Sequence, residues 1–373
     1  MLYLIRLEGN IFMEKVNKDV VVDSAAASKE ETYTWGLDLI RVIAMFFVVL
    51  VHATTIYKFE GAYDVPTFIA ALSRWLSYTC IPLFILLTGY LQANKKPCLT
   101  YYLKIIKTLI EYFIIGFVVA GIYWVCFGNG TPWWEILGKL CLFSYPGYSW
   151  YINMYIGLFI MTPFFNYLYK AIPEKEKWLF MISLVILFSC PQVSSYWGSA
   201  YPIMYYFIGV FLKDKQFKVN KWILLGSVVV GCFWQMLMCV IPLYGVESHN
   251  NIGCLVISVA IFMLLYDAKV KTSSKHKMRA AKVLRIVANA SMGTFLVSQV
   301  FESYTEVYFN KLALTTFSEK LPYLTYLTPI KFIFSVIIGI AISFVATGLY
   351  KLVMLAINKV IARLNSKKAQ NNV

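Results

Sequence analysis

Residues 38–55 read DLIRVIAMFFVVLVHATT, an almost wholly apolar run with an arginine near its start and a histidine near its end. A helix needs about 20 such residues to cross roughly 30 Å of hydrocarbon. The rest of the chain has the same character, since 60% of its 373 residues are hydrophobic, 14% are charged and the mean hydropathy is +0.65. These values exclude an ordinary soluble domain and predict an integral membrane protein with several spans.

Ten apolar stretches have the length expected of transmembrane helices, or nearly so. They cover residues 36–57, 68–92, 103–127, 150–171, 177–193, 200–213, 222–244, 251–267, 284–304 and 329–357. The sequence therefore predicts an all-α, polytopic fold with about ten transmembrane helices. Between the third and fourth stretches, a segment interrupted by glycine and proline carries Trp133 and Trp134, and it predicts an external turn with a short interfacial helix.

The lysines and arginines concentrate in alternate loops and in both tails. If the ten stretches are spans, all but six of the 34 basic residues fall on one side, the six being Lys58, Arg74, Lys139, Lys311, Lys320 and Lys331. Short cytoplasmic loops hold such an excess, so both termini are predicted to be cytoplasmic. The formal net charge of +15 is thus a topology signal. Because it is spread over several loops and tails, it does not indicate a nucleic-acid surface.

Three segments are predicted along the chain. Residues 1–34 are expected to form a loosely ordered cytoplasmic tail, 35–364 the transmembrane domain, and 365–373 a second cytoplasmic tail. The loops between spans are too short for a soluble domain, so function is expected to reside in the membrane bundle.

The sequence does not predict a metal site. The eight cysteines form no CxxC pair and are read as small buried residues. His249 and His276 lie in loops and belong to no HxxxH or HExxH pair.

Arg41 and His52 are polar residues within the otherwise apolar first span, and their presence there needs an explanation. Eleven helical steps of about 100° return to within about 20° of the start and rise about 16 Å, so both side chains, with Asp38, share one face. The simpler interpretations are a snorkelling Arg41 paired with Asp38, and a His52 that makes a helix-to-helix hydrogen bond. Burial disfavours the charged imidazole, so His52 is expected to be neutral and suited to act as a general base.

Several segments together resemble membrane-bound acyltransferase family 3, the integral membrane O-acyltransferases of bacterial surface polysaccharides. LDLIRVIAMFFVVLVH is similar to the first span of that family, in which an arginine, ten residues and a histidine form the signature. In order along residues 35–350, further matching segments are FILLTGYL, WYINMYIGLFIMTPFF, YYFIGVFL and SMGTFLVSQ. The chain departs from the family at two places. Lys104 and Lys107 stand where an Arg-x-x-Arg pair is usual, and Gln299 stands where many members carry a second histidine.

The resemblance implies a multi-pass enzyme that lies among the lipids of the bacterial cytoplasmic membrane. Such an enzyme moves an acyl group, usually acetyl, from cytoplasmic acyl-CoA to a hydroxyl of an external glycan or lipid-linked sugar. His52 and Arg41 are then the expected catalytic residues, and acyl-CoA is a co-substrate, with no permanently bound cofactor. Lys104 and Lys107 are expected to hold coenzyme A phosphates as point charges. Whether His52 acts as a base or carries the acyl group covalently stays open.

Other polar and aromatic positions are candidates for the acceptor pocket, each beside a simpler interpretation. Glu111 is expected to pair with Lys107 four residues earlier, and Arg74 to lie at the outer interface. The candidate pocket residues are Asp38, Tyr90, Trp150, Tyr151 and Glu302. For Trp150 and Tyr151 the alternative is anchoring in the aromatic belt, and for Glu302 a solvated interfacial position.

A second class of function is a transporter or flippase for a lipid-linked sugar, or a non-catalytic component of a polysaccharide export complex. Secondary carriers tend to show two related halves with helices broken at matching places, and no such repeat is evident in the sequence. Acyl transfer that depends on His52 discriminates the enzyme from the carrier.

Overall fold

The computed structural model describes residues 32–54, 65–128, 131–240, 249–271, 274–314 and 317–370. Helices follow one another through these ranges, joined by short turns. Their bounds are α1 Gly36–Ala53, α2 Val65–Ser77, α3 Cys80–Gln92, α4 Leu99–Tyr102, α5 Ile105–Phe127, α6 Trp133–Cys141, α7 Trp150–Ala171, α8 Lys177–Ser189, α9 Pro191–Trp197, α10 Tyr201–Lys215, α11 Lys221–Val240, α12 Ile252–Leu265, α13 Lys275–Asn289, α14 Ser291–Lys311 and α15 Phe317–Gln370.

Several of these helices have the length and composition of membrane spans. In the described part of the chain, five helical segments qualify, and they are Gly36–Ala53, Phe68–Gln92, Leu99–Cys126, Lys221–Met238 and Glu319–Ala362. The bent pair α13 and α14 gives a sixth if it is one span, while α8 and α12 are shorter apolar helices. The chain is therefore a multi-pass helical membrane protein, and the count of ten spans stays a prediction.

A sharp bend interrupts the ninth predicted stretch. Residues 284–304 were expected to be one span, but the helix breaks at Ala290, and α13 and α14 meet there at 63°. Residues 284–289 complete α13, whose exposed side chains include Lys282 and Arg285. A helix with that many charges is costly to place in hydrocarbon, so the apolar run is divided between a basic helix and a more apolar one.

A two-stranded ribbon corrects the all-α prediction. β1 Thr32–Thr34 pairs antiparallel with β2 Lys269–Lys271, and Tyr33 lies opposite Val270. The β-branched and aromatic residues at these positions favour extended backbone. The end of the predicted tail 1–34 is thus an ordered strand, whereas residues 1–31 lie outside the described residues. We call the end of the bundle that carries β1 and β2 the strand end.

Close helix crossings on glycine hold the bundle together. At Gly89 in α3 a Cβ would lie 2.1 Å from the carbonyl oxygen of Tyr206, and at Gly209 in α10 it would lie 2.2 Å from that of Leu86. Gly293 and Gly339 allow the same approach between α14 and α15. Small residues let membrane helices pack backbone against backbone, so these positions fix the two crossings.

A buried asparagine fixes the strand end of α3. Asn166 Nδ2 donates hydrogen bonds to the carbonyl oxygens of Gln92 at 2.8 Å and Lys95 at 2.9 Å, and Asn166 Oδ1 accepts one from the Tyr206 hydroxyl at 2.7 Å. These bonds satisfy carbonyls that the helix end leaves without partners. The wall of the cavity described next is held by this network.

Candidate active site

A charged cavity of about 270 Å³ opens among α1, α3, α5, α7 and the bend between α13 and α14. Three basic or acidic side chains line it, namely Arg41, Lys107 and Glu111. Its other lining residues include Gln92, Tyr151, Tyr155, Asn289 and Phe295. We call it the Arg41 cavity. Intramembrane ionisable groups gathered around one cavity mark a functional site.

Arg41 is held in place by a carboxylate one turn earlier. Its Nη1 lies 3.2 Å from Asp38 Oδ1, and the two side chains are 25% and 9% exposed. Tyr33 of β1 donates a short hydrogen bond to the other oxygen of Asp38. Burial, with the hydrogen bond to Asp38, raises the pKa of Tyr33 to about 12, so the hydroxyl keeps its proton at working pH. Asp38 therefore positions the guanidinium and does not itself line the cavity.

The predicted lysine pair does not converge on this cavity. Lys107 lines it, but Lys104 precedes α5 in a turn, is exposed and is not among the lining residues. The expected ion pair between Lys107 and Glu111 is wrong, because the two groups make no such contact within 4.0 Å in the described structure. Glu111 is 6% exposed, and its Oε1 has no hydrogen-bond partner among the described residues. A buried carboxylate oxygen of this kind favours a ligand that brings a donor.

His52 lies further along α1, beside a second acidic residue. Its ring stacks on Tyr148, with centroids 4.0 Å apart and planes at 17°. Its Nδ1 is 4.0 Å from Glu302 Oε1 in α14, and both side chains are about a quarter exposed, at 27% and 26%. Glu302 therefore faces the imidazole and is not a detached interfacial residue.

An aromatic stack separates His52 from the Arg41 cavity. Phe295 lines the cavity, and its ring stacks on Tyr148 at 5.7 Å, so the order of side chains is cavity, Phe295, Tyr148, His52. His52 itself does not line the cavity. The continuous α1 helix places Arg41 and His52 on one face as predicted, but the shared wall is interrupted by these two rings.

The loop that carries Tyr148 is fixed by Gln299. Gln299 Oε1 accepts a hydrogen bond from the Tyr148 backbone N–H at 3.3 Å, and a Cβ at Gly147 would lie 2.7 Å from Gln299 Nε2. The hydroxyl of Tyr112 also donates to the carbonyl of Tyr145 at 2.6 Å. Gln299 thus positions the ring on which His52 stacks.

Two buried cations lie near His52, and neither was assigned to the site from the sequence. Lys331 in α15 is 7% exposed and lies within electrostatic range of Glu302. Arg74 was expected at the outer interface, but it is 4% exposed and its Nη1 donates to the carbonyl oxygen of Thr54 at 2.7 Å. An ionisable residue inside a predicted span is the signal that identifies Lys331, because such residues are costly unless they have a function.

The remaining candidates are divided between the cavity and other parts of the bundle. Tyr151 lines the Arg41 cavity and packs edge-on against Phe295 at 5.4 Å. Trp150 is 45% exposed and lies 6.5 Å from the ring of His249, whose Nδ1 is 2.9 Å from the Tyr78 carbonyl oxygen.

Tyr90 lies away from the cavity. It packs against Phe262 at 5.5 Å and Tyr266 at 5.6 Å, and Lys213 Nζ lies 4.6 Å from its ring centroid. The structure therefore places this predicted pocket residue between α3 and α12.

The arrangement combines two chemical capacities at different depths. The Arg41 cavity offers cations for a negatively charged or polarisable group, and the His52 and Glu302 pair offers a base beside a carboxylate. Among the described residues, no group of three or more His, Cys, Asp and Glu side chains is placed to hold a metal ion.

Comparison with known protein families gives one match. The model of an acyltransferase domain, acyltransferase 3, matches residues 34–348, which is most of the chain and includes every site residue above except Tyr33. No curated protein and no solved structure gives a significant match.

Proposed function

Because the chain belongs to the acyltransferase 3 family, we propose that it is a membrane O-acyltransferase that moves an acyl group, with acetyl expected, from acyl-CoA to a sugar hydroxyl. The donor arrives from the cytoplasm, and the acceptor is a glycan or lipid-linked sugar at the outer face of the bacterial cytoplasmic membrane. Both termini are cytoplasmic in this proposal, so the strand end of the bundle is the donor side.

One observation carries the proposal. The cavity that Arg41 and Lys107 line lies toward the strand end, and a single aromatic stack separates it from His52 and Glu302. A donor and an acceptor that arrive from opposite faces need two compartments that meet at one barrier. A carrier would need only one binding site, exposed to each side in turn.

In the donor compartment, Arg41 offers a planar guanidinium whose position Asp38 fixes. We expect it to orient the acyl-pantetheine arm that carries the thioester towards His52. Lys107 adds a second positive charge to the same wall. Lys104, outside the cavity, keeps the ordinary role of a cytoplasmic lysine.

In the acceptor compartment, His52 acts as the base. The sugar oxygen attacks the thioester carbonyl carbon, its proton passes to the imidazole, the carbon–sulfur bond breaks, and the proton returns to the departing thiolate. Nδ1 faces Glu302, so a proton on Nδ1 leaves the basic lone pair on Nε2. Glu302 then stabilises the imidazolium that forms. The covalent alternative, acyl-histidine formation, predicts release of coenzyme A before any acceptor is added.

The test is acyl transfer in membrane vesicles supplied with acetyl-labelled coenzyme A. Label is expected on the glycan acceptor with the intact protein and not with His52→Ala at the same protein level. His276→Ala is the matched control, since this histidine is exposed on α13 and away from the site. Sugar movement across the membrane without acyl transfer would favour the carrier, and full transfer by His52→Ala would refute the proposal.

A further inference from the structure

A second cavity, larger than the first, opens at the strand end. It measures about 640 Å³ and lies between β2, the start of α1 and one face of α13. Its walls include Trp35, Lys269, Lys271, Lys277, Ala281 and Leu284. We call it the lysine cavity. Its volume is within the range of about 300–1,000 Å³ typical of small-molecule sites.

The lining of this cavity is cationic at its rim and apolar behind. Lys269, Lys271 and Lys277 are exposed, and none of the cavity's lining residues is acidic. Asp267 pairs with Lys269 at 2.7 Å, so that charge is partly neutralised. The indole of Trp35, with alanine and leucine side chains, forms the rest of the wall. This chemistry suits a ligand with several phosphates on a flat or apolar body.

The Arg41 cavity cannot hold a whole coenzyme A. At about 270 Å³ it falls below the range that drug-sized ligands occupy, and coenzyme A is larger than most of them. Coenzyme A also carries three phosphates, whereas only one lysine of the predicted pair, Lys107, lines that cavity. The nucleotide of the donor therefore needs a second place with its own cations.

The two cavities are neighbours along two different elements. Trp35, just before α1, lines the lysine cavity, and Arg41, six residues later, lines the Arg41 cavity. On α13, Leu284 lines the lysine cavity, and Asn289, five residues later, lines the Arg41 cavity. At about 1.5 Å per residue, the lining residues lie about 9 Å apart along the start of α1 and about 7.5 Å apart along α13, and at about 100° per residue they point to faces roughly 120–140° apart. The flexible pantetheine arm of coenzyme A bridges such a distance.

We propose that the lysine cavity binds the phosphorylated adenosine of acyl-CoA, while the acyl-pantetheine arm extends into the Arg41 cavity; this assignment rests on the proposed acyltransferase function. The indole of Trp35 contacts the adenine, and Lys271 and Lys277 contact phosphates. The ordered ribbon then has a role, since Gly36 N–H donates to the Ala268 carbonyl at 3.1 Å and so holds Trp35 beside β2.

An anionic lipid offers the same phosphate chemistry and is the rival occupant. On α13, Val283 is 60% exposed and Ile286 is 54% exposed, and both lie beside lysines and arginines. Exposed apolar and basic side chains on one helix are typical of a helix that lies at the membrane interface. A lipid in the lysine cavity would affect every acyl donor equally, whereas a nucleotide subsite affects only donors that carry the nucleotide.

The experiment compares two donors and two double variants in nanodiscs. Lys271→Ala with Lys277→Ala removes two lining lysines, and Lys275→Ala with Lys282→Ala removes the same charge from α13 outside the cavity. For acetyl-CoA, the first variant is expected to raise KM by at least about tenfold with little change in kcat, while KM for acetyl-pantetheine stays as in the wild type. The second variant is expected to match the wild type with both donors.

An equal rise in KM for both donors, or one that depends on the anionic lipid content of the nanodisc, would overturn the proposal in favour of a lipid. Binding of radiolabelled adenosine 3′,5′-bisphosphate to the purified protein gives a readout independent of transfer. Saturable binding that the first variant loses supports the nucleotide subsite even if no acyl transfer is found, in which case the proposed function fails separately. Absence of saturable binding to the wild type would refute the subsite.

Discussion

Arg41 owes its position to Asp38, and His52 owes its surroundings to Tyr148 and Glu302. In each case a charged or basic side chain inside the bundle has a defined neighbour, at 3.2 Å for Arg41 and at 4.0 Å for both the ring and the carboxylate near His52. Neighbours of this kind determine which chemistry the group performs, because they fix its orientation and its charge.

Replacing Arg41 with lysine tests whether the guanidinium orients the donor. Arg41→Lys keeps the charge but loses the planar guanidinium, whose Nη1 contacts Asp38. We expect kcat/KM for acyl transfer to fall by at least about tenfold. Arg279→Lys on the exposed part of α13 is the control, and unchanged kcat/KM in Arg41→Lys would show that charge alone suffices.

Glu302→Gln tests whether the carboxylate assists the imidazole. The amide has the same shape but cannot stabilise an imidazolium, so we expect kcat to fall by about tenfold or more while KM for the donor changes little. Glu306→Gln, one turn further on the same helix and exposed, is expected to behave as the wild type. A change in KM alone would assign Glu302 to acceptor binding.

At the scale of elements, α14 links the two compartments. Its first turn lines the Arg41 cavity with Ser291, Met292 and Phe295, and three turns later it presents Glu302 to His52. The glycine contact between Gly293 and Gly339 packs its start against α15. The helix therefore holds part of the wall of the Arg41 cavity, the Phe295 ring and Glu302 in one rigid body.

Phe295→Leu is expected to weaken the barrier between the compartments. A smaller side chain leaves a gap beside Tyr148 through which water reaches the thioester, so hydrolysis of acyl-CoA without an acceptor should rise several-fold, as measured by thiol release. The matched control is Phe301→Leu, whose ring packs toward Phe334 at 6.2 Å. Equal hydrolysis in Phe295→Leu and wild type would mean that the ring does not close the passage.

The crossing of α3 and α10 gives a prediction about stability. A Cβ at Gly89 meets a backbone oxygen at 2.1 Å, and backbone cannot move aside as a side chain does. Gly89→Ala is therefore expected to cost about 1–3 kcal/mol and to lower the Tm in detergent by several degrees. At Gly121, no described atom outside the neighbouring backbone of its own helix lies within 4 Å of an added Cβ, so Gly121→Ala should leave Tm unchanged or slightly higher. A matching loss in both variants would contradict the close crossing.

For the molecule as a whole, the features that the sequence predicts are those that depend on local periodicity, such as helices and the faces that residues share on them. Apolar run length identified the membrane class, and the eleven-residue spacing placed Arg41 and His52 on one face of a helix that the structure shows to be continuous. The family resemblance paired Lys104 with Lys107, but α5 begins at Ile105, and Lys104 in the preceding turn does not line the Arg41 cavity. The sequence also missed the bend at Ala290, where hydropathy continues across a change of direction.

The contacts that define the site join segments far apart in the chain, and sequence patterns do not contain them. Tyr148 meets Phe295 and Gln299 across about 150 positions, and the ribbon joins Tyr33 to Val270. Only packing of the whole bundle determines such pairs. Lys331 was recognisable as an ionisable residue in a span, but its proximity to Glu302 was not.

We infer that the acyl group enters from the strand end and leaves at the His52 end. Proteoliposomes of uniform orientation, given membrane-impermeant acetyl-labelled CoA on one face and acceptor on the other, test it most directly. We predict labelled acceptor only when the donor is on the face that carries the strand end, and none with His52→Ala. Equal labelling from either face, or labelling that persists in His52→Ala, would contradict the account.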